Sequence, residues 1–505
     1  MKRRNFIKQA ALAAGSALAA PCLYGMSDNL PESKAAGAMQ SGGKPNIVFI
    51  MADDMGYGDL GCLNRDSKIP TPNMDMLAEE GMRFTDAHTP SAVCTPTRYG
   101  VLTGRYCWRT RLKKGVLWGY SRRLIKPGRT TVASMLKDSG YHTACVGKWH
   151  LGLTDSEPAD YSKPLRPGPN EAGFDYWFGI PASLDMKPYC FIENGLPTKP
   201  LTDKIKGESL PRFYRTGKAS PGFDVDDVMP KITEKACSFI DNHKVEQGEK
   251  PFFLYFPLSA PHQPWVPLEK NEQRSKAGVY GDFVTLVDDA VGKVVGKLEE
   301  NGYRQNTLII VTSDNGSRIQ RIGKFNNGVS DESKHNFGHD ANYIYRGQKA
   351  DVWDGGHRVP FIARWLRVVK QGSKCEKPIC LVDLFASCAE ITGHRMKDNE
   401  GEDSFSFLPF LRGEKPSGEL RKAIVHHSVS GKFAIRRGRW KYIDCKGSGG
   451  WTKGGDDKPA QLYDMQKDPD ETDNLYGKPE YEKTVKEMKS LLEKYKSQGF
   501  SRPMQ

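Results

Sequence analysis

Four short apolar runs in this 505-residue chain each stop at a cluster of charged or amide side chains. Residues 47–51 (IVFIM) lead into Asp53 and Asp54. Residues 143–146 (TACV) lead into Gly147-Lys148-Trp149-His150. Residues 252–256 (FFLYF) lead into Ala260-Pro261-His262. Residues 308–312 (LIIVT) lead into Ser313-Asp314-Asn315. Continuous apolar runs of this length mark strands buried on both faces. Helical patterns lie between them, at 131–139 and 283–301. Strands alternating with helices predict an α/β fold, with a large mixed, mostly parallel sheet sandwiched by helices. In such sheets ligands bind beyond the carboxyl ends of the strands. Four charged strand tips therefore predict one shared crevice.

The C-terminal part changes character. Short strand-like segments at 423–427, 432–436, 440–443 and 461–464 are separated by turn residues, and 481–495 has helical amphipathicity. A catalytic α/β domain over 45–413 and a smaller α+β subdomain over 414–505, an antiparallel sheet plus a helix, follow from this change. Residues 446–458, rich in Gly and Lys, read as a loop.

Residues 1–26 read as an address. Arg3 and Arg4 precede Asn5-Phe6-Ile7-Lys8 and a short Ala-rich stretch, the pattern of a twin-arginine-like signal peptide, which exports folded protein. A periplasmic protein is expected. Cys22 suggests a lipoprotein anchor, but Pro21 before it departs from that pattern. Residues 27–44, rich in Ser, Gly and Ala, read as a linker. Beyond the start, no apolar run approaches the roughly 20 residues of a membrane span. The net charge of +13 suits either a polyanion-steering surface or a solvated Lys-rich one. Charge alone does not choose between them, and no nucleic-acid partner is expected. The 11 cysteines form no CxxC and no Cys/His spacing of a zinc site. Their disulfide pairing is not readable.

The decisive stretch is Cys94-Thr95-Pro96-Thr97-Arg98, followed by Leu102-Thr103-Gly104-Arg105. It resembles the C-x-P-x-R and L-T-G-R signature of the type I, formylglycine-dependent sulfatases of the alkaline-phosphatase superfamily. The resemblance runs from Lys44 to the C-terminal helix. It implies an alkaline-phosphatase-like fold, sulfate-ester hydrolysis, and oxidation of Cys94 to formylglycine by a generating maturase. The implied chemistry is coherent. A hydrated aldehyde carries two hydroxyls on one carbon: one attacks sulfur, and the other then loses a proton and expels sulfate. A Ser could perform only the first half easily.

The resemblance also assigns the remaining polar residues. Asp53, Asp54, Asp314 and Asn315, joined by residue 94, match the ligands of one Ca²⁺, and their hard oxygens suit such an ion. Arg98 and Lys148 hold the hydrated aldehyde and its sulfate adduct, and Lys349, in Arg346-Gly-Gln-Lys349, binds a sulfate oxygen. His150 is the expected base and His262 the expected acid, roles that need a group titrating near neutrality. Ser183 matches a Ser that contacts sulfate. Asp185, His339, His357 and Arg358 are candidate substrate-recognition residues, together with the polar insert around His335 and Asn336. The chain looks closer to exported bacterial polysaccharide and aryl sulfatases than to steroid sulfatases, whose hydrophobic hairpins it lacks. A sulfated carbohydrate is expected, such as a 6-O-sulfated galactose or N-acetylgalactosamine unit. The rival is a phosphate or phosphonate monoester hydrolase on the same fold, but the 11 histidines show no second metal cage. A silent glycan-binding protein would be expected to have lost Cys94, Arg98, His150 or His262.

Overall fold

The segment Asn46–Asp53 is buried at every position and lies at the middle of a ten-stranded sheet. In this computed structural model it pairs in parallel with Phe252–Pro261 on one side and Thr307–Ser313 on the other. His142–Lys148 and Tyr176–Ile180 continue the parallel set beyond Phe252–Pro261. Phe361–Arg364 runs antiparallel to Thr307–Ser313, and the three-residue strand Met82–Phe84 runs antiparallel to it in turn. The expected large, mixed, mostly parallel sheet is what forms. The structure describes residues 43–319, 337–415, 419–455 and 457–504. The signal at 1–26, Cys22, all but the end of the linker, and His335 and Asn336 lie outside them.

Alternate residues of the central strands enter separate cores. Val48, Ile50, Leu254, Phe256, Ile309 and Val311 are buried with the helices Val228–Gln247 and Gly278–Glu300. Each such side chain contributes about 1.5–3 kcal/mol when taken fully out of water. On the other face Phe49 stacks on Tyr255 at 6.2 Å. The helix Val132–Asp138 begins at Thr131, whose hydroxyl accepts from Ser134 N at 3.0 Å while Thr131 N donates to Ser134 Oγ at 2.9 Å. This reciprocal cap fixes the helix start. Between the strands ending at Lys148 and Ile180 the backbones meet at glycines. A Cβ on Gly179 would stand 1.7 Å from the Gly147 carbonyl oxygen, so no other residue fits.

Strands Ile424–His427, Phe433–Arg437, Trp440–Ile443 and Gln461–Asp464 form the expected antiparallel sheet, followed by the helix Glu482–Gln498. The apolar faces of this sheet and helix pack with Tyr106, Trp108, Cys380 and Val382, so they share a core with the segments that follow the helix Cys94–Thr103 and precede Leu384. The ten described cysteines are all free thiols. No helix among the described residues is long and apolar enough to cross a membrane.

His427 closes the first strand of this sheet. Its side chain is 1% exposed and both ring nitrogens lack a hydrogen-bond partner. Burial pushes the imidazole from 6.5 down to about 4. The unfolded chain therefore takes up this proton first as pH falls. Stability is full above pH 6.5 and drops by up to about 3 kcal/mol on the way to pH 4. Since no hydrogen bond is lost, His427→Leu is expected to leave stability at pH 7 nearly unchanged and to flatten the loss at acid pH. Urea denaturation at pH 7 and pH 4.5 checks this; equal acid losses in both proteins would contradict it.

Candidate active site

Parallel neighbours end side by side, so groups remote in sequence meet at the strand tips. Asp54 N donates to Asp314 Oδ1 at 3.2 Å, and Asn315 Nδ2 donates to Asp54 Oδ1 at 2.7 Å. Asp53, Cys94 and Asp314 offer ligand atoms that all lie within 4.8 Å of one another. Asp54 and His150 each hold a positive φ, 67° and 59°. Asp and His are among the non-glycine residues that enter that left-handed region, and here it turns the chain just past a strand end.

Three cations face the three carboxylates. Arg98 donates through Nε and Nη2 to Asp314 Oδ2 at 3.0 and 2.6 Å, and through Nη1 to the Lys148 carbonyl at 3.0 Å. Lys148 Nζ donates to Asp53 Oδ2 at 2.5 Å and to Ser183 Oγ at 3.2 Å. Lys349 Nζ donates to Asp54 Oδ2 at 2.8 Å. Burial alone would raise Asp53, but Lys148, Arg98 and Lys349 hold it well below the usual carboxylate range. Burial and the adjacent Asp53 carboxylate push Asp314 up to about 7, against the pull of Arg98 and Lys148. Burial opposes the charge on Lys349, but Asp54 outweighs it and holds the ammonium above its ordinary value.

Cys94 is the first residue of the helix Cys94–Thr103, whose positive end suits an anion. Burial raises its thiol pKa, opposed by Lys148 and Lys349. The segment before it is held from the C-terminal sheet. Ala92 N donates to His427 O at 3.0 Å, Ala350 N to Ala92 O at 2.8 Å, and Val429 N to Ala350 O at 3.0 Å. One backbone ladder thus sets both Cys94 and Lys349.

Two neutral imidazoles complete the pocket. His150 Nε2 donates to Leu117 O at 2.7 Å, which leaves a buried, unpartnered lone pair on Nδ1. Burial, then Lys148 and Arg98, push His150 far below 6.5. His262 Nδ1 donates to Gln263 O at 2.7 Å, so its Nε2 accepts from Ser183 Oγ at 3.2 Å and lies 3.7 Å from Asp54. Burial and Lys349 lower it as well.

Ten of the expected residues are thereby gathered: Asp53, Asp54, Cys94, Arg98, Lys148, His150, His262, Asp314, Asn315 and Lys349. Ser183 joins them, and Asp185, two residues on, keeps a buried Oδ1 without a partner. Three expected recognition residues are not brought there. His339 donates to Asp59 at 2.8 Å, and Asp59 also accepts from Tyr280, a buried structural group. His357 is fully buried, with Nδ1 3.0 Å from His88 Nδ1 and Nε2 3.1 Å from Lys441 Nζ. Arg358 pairs with Asp86 and Asp354, each at 3.1 Å. Both serve the junction with the C-terminal sheet instead. Thr95, inside the motif, donates to His150 O at 3.0 Å and accepts from Leu117 N at 3.2 Å, tying His150 to the helix start. Its only sequence signal is a hydroxyl next to Cys94.

Asp53 Oδ1 and Asn315 Oδ1 are buried without hydrogen-bond partners, beside the carboxylates of Asp54 and Asp314. Such hard oxygens fit Ca²⁺ or Mg²⁺. His88, His357 and His426 also cluster, but the rings of His357 and His426 are stacked at 3.8 Å and 7°. In-plane lone pairs of parallel rings do not converge on one ion. None of the three rings is hydrogen-bonded to a pocket residue.

A cation-rich cluster at parallel strand tips, with a helix N-terminus and hard oxygens able to take a cation, suits hydrolysis of an anionic ester. The sulfatase profile matches residues 45–394, and the C-terminal profile of N-sulphoglucosamine sulphohydrolase matches 348–498. The chain is 36% identical over 498 residues to the N-acetylgalactosamine-6-O-sulfatase of Bacteroides thetaiotaomicron, covering 91% of this chain and 94% of that protein. It is 32% identical over 465 residues to human arylsulfatase A, covering 86% and 83%. A Bacteroides thetaiotaomicron structure solved in work on the metabolism of multiple glycosaminoglycans superposes with a TM-score of 0.79 at 34% identity, over 90% of this chain and 99% of that one. A sulfatase from Pseudoalteromonas sp. shares the fold, with a TM-score of 0.70 at 22% identity, over 94% and 97%. The chain belongs to the sulfatase family, and it hydrolyses sulfate esters.

Removing the central guanidinium leaves two buried carboxylates facing each other. Arg98→Gln is therefore expected to lower stability by about 3–5 kcal/mol. A urea denaturation midpoint equal to that of the wild type would contradict this account of the pocket.

Proposed function

We propose that the ester is a carbohydrate sulfate, specifically a 6-O-sulfated galactose or N-acetylgalactosamine unit, and that Cys94 acts as formylglycine beside one Ca²⁺. The observation that carries the reading is the convergence on position 94 of three carboxylates, three cations and two neutral imidazoles. The identity to an N-acetylgalactosamine-6-O-sulfatase over most of both chains supports the sugar. Within that reading residues 1–26 direct export to the periplasm, residues 27–44 link the signal to the enzyme, a maturase oxidises Cys94, residues 45–413 carry the catalytic site, and residues 414–505 brace it.

A hydrated aldehyde at position 94 supplies the attacking hydroxyl, and a Ca²⁺ held by Asp53, Asp54, Asp314 and Asn315 supplies charge neutralisation. The other work falls to the chain itself. Arg98 and Lys148 orient the side chain at position 94. Lys349, buried and fixed by Asp54, meets a sulfate oxygen as a point charge. His150 Nδ1 is a buried acceptor without a partner, its other ring nitrogen being spent on the Leu117 carbonyl, so it takes the proton that must leave when sulfate is expelled. His262 Nε2 faces the leaving oxygen with Ser183 beside it. An arriving sulfate raises the proton affinity of that imidazole, which allows it to act as the acid.

Two measurements address the reading. In active enzyme the peptide containing Cys94 should have lost the thiol, with sulfur exchanged for oxygen and two hydrogens removed. An unmodified thiol in fully active enzyme sinks the nucleophile assignment. Exhaustive chelation should abolish sulfate release and lower the thermal midpoint, and added Ca²⁺ should restore both, because an ion that binds only the folded state stabilises it. Full activity after chelation rules out the metal.

A further inference from the structure

The pocket has a rim on which two residues, Trp118 and Arg215, carry no assigned role. From His150 one route leads out through Leu117, whose carbonyl accepts from His150 at 2.7 Å and whose amide donates to Thr95 at 3.2 Å. The next residue, Trp118, is 48% exposed, unusual for the largest apolar side chain. From Ser183 a second route leads to Asp185 and across to Arg215. Arg215 N donates to Asp185 O at 3.2 Å, its Nη1 donates to the same carbonyl at 3.1 Å, and its guanidinium pairs with the Asp185 carboxylate. The routes close on each other, because the Arg215 guanidinium lies 5.1 Å from the Trp118 ring centroid. The Trp118 loop also packs on the segment after Asp185: a Cβ on Gly119 would stand 2.5 Å from Lys187 O.

This rim is built rather than adventitious. Asp185 holds Arg215 by one nitrogen only, and its Nε and Nη2 make no hydrogen bond among the described residues. The Arg215 side chain remains 40% exposed. A planar guanidinium with unspent donors, fixed beside an exposed aromatic face, suits a ring with an apolar face and an anionic substituent. A simple aryl sulfate has no group to reach it.

We infer that Trp118 and Arg215 form the leaving-group subsite: the indole packs against a pyranose of the glycan being desulfated, and the guanidinium pairs with a carboxylate or second sulfate on the adjoining sugar. The inference rests on the carbohydrate reading above and adds the class of substrate, an anionic oligosaccharide.

Four substrates test it in the mature full-length enzyme: 4-nitrophenyl sulfate, 6-O-sulfated N-acetylgalactosamine, the same unit linked to a uronic acid, and the same unit linked to a sulfated neutral sugar. Trp118→Ala should lower kcat/KM about tenfold more for the disaccharides than for 4-nitrophenyl sulfate, mainly through KM, and Trp118→Phe should recover most of it. Arg215→Gln should erase the preference for whichever disaccharide carries the preferred anion, and Arg215→Lys should restore it only in part. The two disaccharides separate carboxylate from sulfate as that anion. Thermal midpoints confirm that the variants fold. Disaccharide turnover by wild type, with KM unchanged in Trp118→Ala and Arg215→Gln, overturns the inference alone. Turnover of 4-nitrophenyl sulfate with no release from any sugar overturns the carbohydrate reading, and the inference with it.

Discussion

The Arg98 guanidinium, buried between Asp314 and Asp53, is the contact on which the rest of the pocket depends. It joins the helix that begins at Cys94 to the tips of two adjacent strands, and through the Lys148 carbonyl to a third. Taking that many ions out of water is unfavourable by several kcal/mol per ion unless each finds a close partner. Here every carboxylate has a cation within hydrogen-bond distance. The arrangement is therefore collective. No one of the six charged groups is stable in its place without the others, and the strand register that sets Asp53 opposite Asp314 is also the register that buries Val48, Ile50, Ile309 and Val311.

The C-terminal sheet belongs to the same construction. Its first strand passes backbone hydrogen bonds to the residue two before Cys94 and, one step on, to the residue after Lys349. A nucleophile and a sulfate-binding cation more than 250 residues apart are thus fixed by one ladder. Backbone hydrogen bonds to a rigid sheet hold position better than loop side chains do, which matters when small misplacement costs rate. The same junction buries His357 and Arg358. Lys441, on the third strand of that sheet, reaches Asp354 at 2.7 Å and Glu471 at 2.7 Å.

Much of this was legible in the sequence because its signals are local. A strand buried on both faces needs an unbroken apolar run, and the chemistry follows each run within a few residues, as at Asp53 and Asp314. The signature around Cys94 is equally local. What was hidden depends on partners far along the chain. Met82–Phe84 is too short to announce itself, and Tyr176–Ile180 carries a glycine demanded by the approach of Gly147. His357 and Arg358 follow a glycine pair and look like loop polars. Only the neighbouring Asp86 and Lys441, remote in sequence, show that they are interior groups. His339 fell to the same limit through Asp59. Trp118 and Arg215 carry no motif, and become a pair only when two loops close.

Burial also determines how protons can move here. His150 and His262 each spend one ring N–H on a backbone carbonyl, of Leu117 and Gln263, so each presents a single lone pair to the pocket. Both are held neutral by desolvation and by the lysines around them. A second proton on either ring is tolerated only when negative charge arrives nearby. In the proposed reaction that charge is the substrate's own sulfate. The imidazole beside Ser183 then becomes an acid as the ester binds, while the one beside Leu117, flanked by Lys148 and Arg98, stays a base. Two like residues thereby acquire opposite tasks from their surroundings, the general device by which one pocket runs acid and base steps together.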